Sequence, residues 1–154
     1  MSVRLRVCGP RDYPALLGIV DDPDVAFDLF PGMPPPAMFY VRPDAGSGAG
    51  PVFVAESTGD GRVVGGGRIE QGGFSYFVRR TEWRQGYGTR IAELMLIEHR
   101  RRHPSRPAVL AVKRENPASI RIVERLGFRF AGLVGRDPVM LKFVSGPDVG
   151  IAVA

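Results

Sequence analysis

Trp83-Arg84-Gln85-Gly86-Tyr87-Gly88-Thr89 runs directly into Arg90-Ile91-Ala92-Glu93-Leu94-Met95-Leu96-Ile97. The second string is apolar almost all round, which predicts a helix over Thr89–Arg102 that is buried on more than one side. Two glycines at the entry to such a helix let backbone N–H groups approach an anion, and the helix dipole adds about half a positive charge there. That arrangement suits a phosphate, although a plain tight turn would use the same residues. Two phosphate motifs do not fit. The chain has no Gly-Lys-Ser/Thr string of the Walker A type, and Ile91 stands where a dinucleotide fingerprint needs its third glycine.

Outward from the loop, turn residues divide a series of apolar runs. Pro51–Glu56, Val63–Glu70 and Phe74–Val78 predict three antiparallel strands, with Ser57-Thr58-Gly59-Asp60-Gly61 and Gln71-Gly72-Gly73 as turns. Val3–Cys8 alternates apolar and basic residues like a half-buried strand, and Asp12 is placed to cap a helix over Tyr13–Val20. Val25–Phe30 predicts a further short helix. Downstream, Pro107–Lys113 carries a continuous apolar run and reads as a buried strand. Asn116-Pro117 opens a helix that Gly127 closes. Phe128–Val134 and Val139–Val144 are the last strands, joined by Gly135-Arg136-Asp137-Pro138. The expected fold class is α/β (α+β), one domain over residues 1–154. It should hold a single mixed, mostly antiparallel twisted sheet of six to seven strands flanked by helices.

A second string follows about thirty residues after the glycine loop: Arg114-Glu115-Asn116-Pro117-Ala118-Ser119-Ile120-Arg121-Ile122-Val123-Glu124-Arg125-Leu126-Gly127-Phe128. Together with Trp83–Glu93 it resembles the GNAT superfamily of acetyltransferases. The likeness is closest to the ribosomal-protein N-terminal alanine acetyltransferase-like branch, where Trp-Gly-Lys-Gly-Tyr-Gly/Ala-Thr and Asn-x-x-Ser with Glu-Lys/Arg-Leu-Gly-Phe are usual. It is firm over Val63–Val144 and looser over the first fifty residues, where the family itself varies.

The resemblance implies a cosubstrate, acetyl-coenzyme A, and a division of labour around it. The strands holding Phe74–Val78 and Pro107–Lys113 would splay apart and receive the pantetheine arm between them. The pyrophosphate would rest on the amides of Arg84, Gln85, Gly86, Tyr87, Gly88 and Thr89. Arg84 replaces the branch's usual glycine and adds a cation that could bind the pyrophosphate. Val78 would offer its N–H to the thioester oxygen, and Asn116 would bind the pantetheine arm or an ordered water. Many members protonate the leaving thiolate with a Tyr seven residues after the Asn; Val123 stands there, so Ser119 inherits the task. Each of these residues also has a plain structural role open to it. Asn116 is a helix cap, Ser119 an ordinary third helical residue, and Tyr87 a residue that could pack under the loop.

An acceptor amine with a pKa near 10.4 is protonated at neutral pH and must lose a proton before it attacks. Where many members carry a Glu for this, the chain has Gly72 and Gly73. Glu70, just upstream, is the first candidate base, and Asp137 the second, although both also suit a strand end and a turn. The Pro/Gly-rich stretch 31–50 is a candidate lid over the acceptor site, with Phe30, Met33, Met38, Phe39 and Tyr40 as candidate lining.

Composition narrows the partners. An apolar fraction of 44% places the chain with ordinary globular proteins rather than disordered ones. The formal charge of +5 suits a polyanionic cofactor as well as nucleic acid, and no interleaving of aromatic with basic residues on a strand face supports the latter. Of the 21 basic residues only Lys113 and Lys142 are lysines. Cys8 is the one cysteine, which excludes an intrachain disulfide and a cysteine metal cage, and no metal is expected. No apolar run approaches the roughly 20 residues needed to cross a bilayer, and the N-terminus lacks a secretion signal's apolar stretch, so a cytoplasmic location is expected. The expected activity is N-acetylation of a small-molecule amine or a peptide N-terminus by direct attack in a ternary complex. A non-catalytic acyl-CoA-binding module is the alternative, no nucleic-acid or membrane partner is expected, and a homodimer stays open.

Overall fold

The alternation read in the first residues forms β1 (Val3–Val7), paired antiparallel with β2 (Val52–Ser57). Its basic members are not merely solvated. Arg4 and Arg6 both donate to Glu56, at 2.8 and 3.1 Å, and Arg6 forks onto the two carboxylate oxygens of Asp12 at 2.7 Å each. Asp12 and Glu56 are both buried, so the arginines supply the pairing that buried carboxylates require. The Arg6 hydrogen bonds hold the Asp12 carboxyl below its ordinary pKa. Burial pushes Glu56 up, but Arg6 and Arg4 outweigh it and its pKa falls. Asp12 therefore does not cap α1 (Tyr13–Val20); its Oδ2 accepts the Gly9 N–H instead.

The computed structural model describes residues 2–29, 50–70, 72–136 and 139–145. After α2 (Pro23–Leu29), the strands β2, β3 (Val63–Glu70) and β4 (Gly73–Val78) form an antiparallel meander beside β1. The buried helix begins slightly earlier than the sequence suggests, as α3 (Tyr87–Arg102). It leads to β5 (Val109–Val112), α4 (Pro117–Arg125), β6 (Arg129–Val134) and β7 (Met140–Val144). The element order is the expected one. Hydrogen bonding divides the seven strands into two antiparallel ladders, β1-β2-β3-β4 and β5-β7-β6.

The division falls between β4 and β5, which run side by side in the same direction and touch at one end. There the Val109 N–H donates to the Gly72 carbonyl at 2.8 Å. A Cβ on Gly73 would lie 1.9 Å from the Val109 carbonyl oxygen, so only glycine permits the two backbones to come this close. Beyond that vertex the strands part. One core packs α3 and α4 against one side of the sheets, around Ile91, Met95, Leu96, Val123 and Phe143. The other packs α1 and α2 on the opposite side, around Leu16, Ile19, Val25, Val54 and Phe77. The gap between β4 and β5 thus opens between two helical layers.

His99 on α3 is 1% exposed, and neither ring nitrogen has a hydrogen-bond partner among the described residues. Burial, with His103 and Arg100 nearby, lowers its pKa. The unfolded chain then binds more protons than the folded one as pH drops below about 6.5, so stability should fall from that point downward. Urea midpoints measured between pH 7.5 and 5 should decline less steeply for His99→Leu than for the wild type. Equal slopes would show that His99 is not the source of the loss. Among the described residues no helix is long and apolar enough to cross a membrane.

Candidate active site

Backbone groups of successive residues in an antiparallel strand point to alternate edges. In β4 the Arg79 N–H goes to Val64 of β3 at 2.8 Å, while the Gly72 carbonyl faces β5. Residues 74, 76 and 78 therefore aim their N–H and C=O groups into the gap. The Val78 N–H faces the cleft, where the sequence expects an oxyanion contact. Its carbonyl is taken by the Trp83 indole N–H at 2.9 Å, and the Arg80 guanidinium lies 4.5 Å from the centre of the Trp83 ring. Trp83 thus pins the start of the glycine loop to the end of β4.

The loop then turns twice through left-handed conformations, at Arg84 (φ 65°) and Gly86 (φ 87°). Gly86 is the N-cap of α3, and no side chain caps that helix. Its first amides are left for a ligand, and they carry the positive end of a helix of 16 residues. Gly88 lets this end lie close to α4: a Cβ there would come within 3.1 Å of the Ile122 side chain. Arg84, Gly86, Gly88 and Thr89 all line the cleft. Gln85 and Tyr87 are not among its lining. The Gln85 amide reaches back to the Thr81 carbonyl at 3.4 Å, and the Tyr87 side chain is buried in the core. What those two residues can give a ligand is their backbone.

The opposite wall is the start of α4. Asn116 caps it, its Oδ1 accepting the Ser119 N–H at 3.1 Å, and both residues line the cleft. Arg121 and Arg125, one turn apart, line the same wall and add positive charge. The Ser119 hydroxyl lies 2.6 Å from the Tyr76 hydroxyl of β4. Burial drives the Tyr76 phenol up to about 12, so it stays protonated across the neutral range. As a protonated donor it can hold the Ser119 oxygen and leave the serine's own proton for a group in the cleft.

Sequence reasoning did not single out Tyr76. The signal was available: it lies two residues before Val78 and so shares that residue's face and edge. It also did not single out Asp28 of α2, which lines the cleft from the other helical layer and whose pKa is raised, chiefly by burial. Of the two expected bases, Glu70 is not in the cleft lining; its Oε1 accepts the Ser75 hydroxyl at 3.0 Å. Asp137 lies outside the described residues, as do residues 31–49 of the expected lid together with Phe30, Met33, Met38, Phe39 and Tyr40.

The cleft has a volume of about 630 Å³, within the range of small-molecule and cofactor sites. One end offers uncapped helix amides and arginines, and the middle offers β4 backbone left unpaired among the described residues and a hydroxyl pair. A carboxylate stands at the far wall. This suits an extended ligand with phosphates at one end and a reacting group near Ser119. Among the described residues no group of three or more His, Cys, Asp or Glu is placed to hold a metal ion.

Comparison with known proteins gives the family and the fold. The sequence pattern of the acetyltransferase (GNAT) domain matches residues 2–129. Among solved structures, a GNAT-family acetyltransferase from Bacillus anthracis superposes with a TM-score of 0.77 at 15% identity, covering 96% of each chain. The aminoglycoside acetyltransferase AAC(6')-Ib, solved with paromomycin and acetyl-CoA, gives 0.74 at 16% identity, over 94% of this chain and 93% of its own. YncA from Salmonella typhimurium, solved with its cofactor acetyl-CoA, gives 0.72 at 19% identity, over 100% and 99%. At these identities the likeness is one of fold. No curated relative matches the sequence.

Proposed function

The chain belongs to the acetyltransferase (GNAT) domain family, and from that premise we propose that it moves an acetyl group from acetyl-coenzyme A to a primary amine in a ternary complex. The observation that carries this is the β4–β5 cleft, which joins the uncapped α3 amides to the Tyr76–Ser119 pair. The pyrophosphate belongs on the amides of Arg84 to Thr89 beside the Arg84 side chain, and the pantetheine arm along the free edge of β4. The Val78 N–H is aimed at the thioester oxygen, where it stabilises charge that grows in the transition state. Asn116 keeps its side-chain N–H groups for the pantetheine amides, because its oxygen is spent on the helix cap. Ser119 protonates the departing thiolate while the Tyr76 phenol holds its oxygen in place.

The acceptor enters from the α2 side. A carboxylate on that wall favours a cationic small molecule, and AAC(6')-Ib, of the same fold, has been solved with kanamycin as well as paromomycin. The string Asn116-Pro117-Ala118-Ser119, shared with the ribosomal-protein branch, makes a peptide N-terminus the second choice. Thiol release from acetyl-CoA, followed with kanamycin, simple diamines and peptides beginning with Ala or Ser, tests both. Amine-dependent release, faster with the polycations, is expected. Coenzyme A binding without turnover on any amine would instead make the chain a binding module, and no binding would overturn the proposal.

A further inference from the structure

α2 and β5 stand on opposite rims of the cleft, and one side chain crosses between them. Lys113, the residue after β5, is buried, with 6% of its surface exposed. Its Nζ donates to the carbonyl of Phe27 and lies 3.8 Å from the centre of the Phe27 ring. Phe27 is in the last turn of α2, where carbonyls lack helical partners and carry partial negative charge. The contact therefore satisfies a buried cation and also holds down the end of the helix. The next residue along is Asp28, in the cleft wall.

We propose that Asp28 is the carboxylate that takes the proton of the acceptor ammonium, and that Lys113 is the positioning residue that fixes Asp28 over the cleft and favours its ionised form. This rests on the amine-acetylation function proposed above. Three groups face Asp28 from the elements around it: Lys113 beside β5, Asp24 on α2, and the Tyr76 phenol on β4. Burial raises the Asp28 pKa most, Lys113 lowers it, and Asp24 raises it again. Asp24 is itself paired with Arg80 at 3.3 Å, which leaves Lys113 as the cation acting on Asp28.

The proton balance closes with these groups. Asp28 accepts one proton from the ammonium, directly or through a water, and passes it to solvent. The freed amine nitrogen forms a bond to the acetyl carbon, and the C–S bond breaks with its electron pair on sulfur. The nitrogen gives up a second proton, and the thiolate gains one from Ser119, which is reprotonated in turn. The sum is one amide, one thiol and one proton released.

The test is the pH dependence of kcat/KM for the amine at saturating acetyl-CoA, for the wild type, Lys113→Met, Lys113→Arg and Asp28→Asn, with coenzyme A affinity measured alongside by calorimetry. Lys113→Met should move the acid limb up by about one pH unit and so lower kcat/KM about tenfold at pH values below that limb. Lys113→Arg should return the limb to within a few tenths of a unit. Asp28→Asn should lose at least about thirtyfold across the range. Coenzyme A affinity should stay within about twofold throughout. A Lys113→Met acid limb identical to the wild type, or loss of coenzyme A binding in that variant, would overturn the positioning role. Asp28→Asn with near wild-type turnover would overturn the base. Wild-type protein that acetylates no amine would remove the parent function, and this proposal with it.

Discussion

Ser119→Ala is expected to lower kcat by about 10²–10³-fold while the KM for acetyl-CoA changes by no more than about threefold. The hydroxyl would act on sulfur only as the C–S bond breaks, so its loss should spare binding of the intact thioester. The Ser119 N–H to Asn116 bond is made by the backbone and survives the change, so the start of α4 should hold. The change does leave the half-buried Tyr76 hydroxyl without its Ser119 partner, at a cost of about 1 kcal/mol of stability. Tyr76→Phe should be milder, about tenfold in kcat, because it removes the group that orients the serine rather than the proton donor. The double variant should be little worse than Ser119→Ala alone, since the two hydroxyls act as a unit. Steady-state kinetics on the four proteins decide the matter. A Ser119→Ala enzyme within threefold of wild type would assign thiolate protonation to water.

Most of the fold could be read from the sequence because the relevant signals are local. The glycine turn before an all-round apolar run marks α3, Asn116-Pro117 marks the start of α4, and the alternating runs between Gly-rich turns mark the meander. The donor side of the site is legible for the same reason: it is built from consecutive backbone groups at element ends. What the sequence hides is pairing across the sheets. Nothing near Arg6 says that Glu56, 50 residues later, is its partner, because that pairing exists only once β1 meets β2. Nothing near Ser119 points to Tyr76, 43 residues earlier. Asp28 sits in a short predicted helix with nothing local to mark it, and only its place in the cleft wall and the reach of Lys113 give it a distinct chemistry. Glu70 illustrates the converse. It lies close in sequence to the expected position, yet its Oε1 is engaged by the Ser75 hydroxyl on the neighbouring strand.

Gly73→Ala should destabilise the protein by about 3 kcal/mol, near the top of what one added methyl does. The new Cβ would sit 1.9 Å from the Val109 carbonyl oxygen, and neither backbone can retreat cheaply. β4 is held to β3 from Gly73 to Val78, and Val109 is registered against Val144 of β7. For a chain of this size the change corresponds to a fall in Tm of about 8 °C. Gly72→Ala is the control. Gly72 has φ 85° but open space around it, so it should lose only the 1–2 kcal/mol of placing an L-residue in the left-handed region. Equal losses in the two variants would mean that the vertex yields and that the close approach is not what holds the ladders together. The larger loss at Gly73 would carry a functional meaning as well. At Gly73 the neighbouring strand leaves no room for a side chain, so a carboxylate serving the amine cannot stand there. The short helix α2, with Asp28 facing the cleft and Lys113 holding its end, is where this chain supplies one.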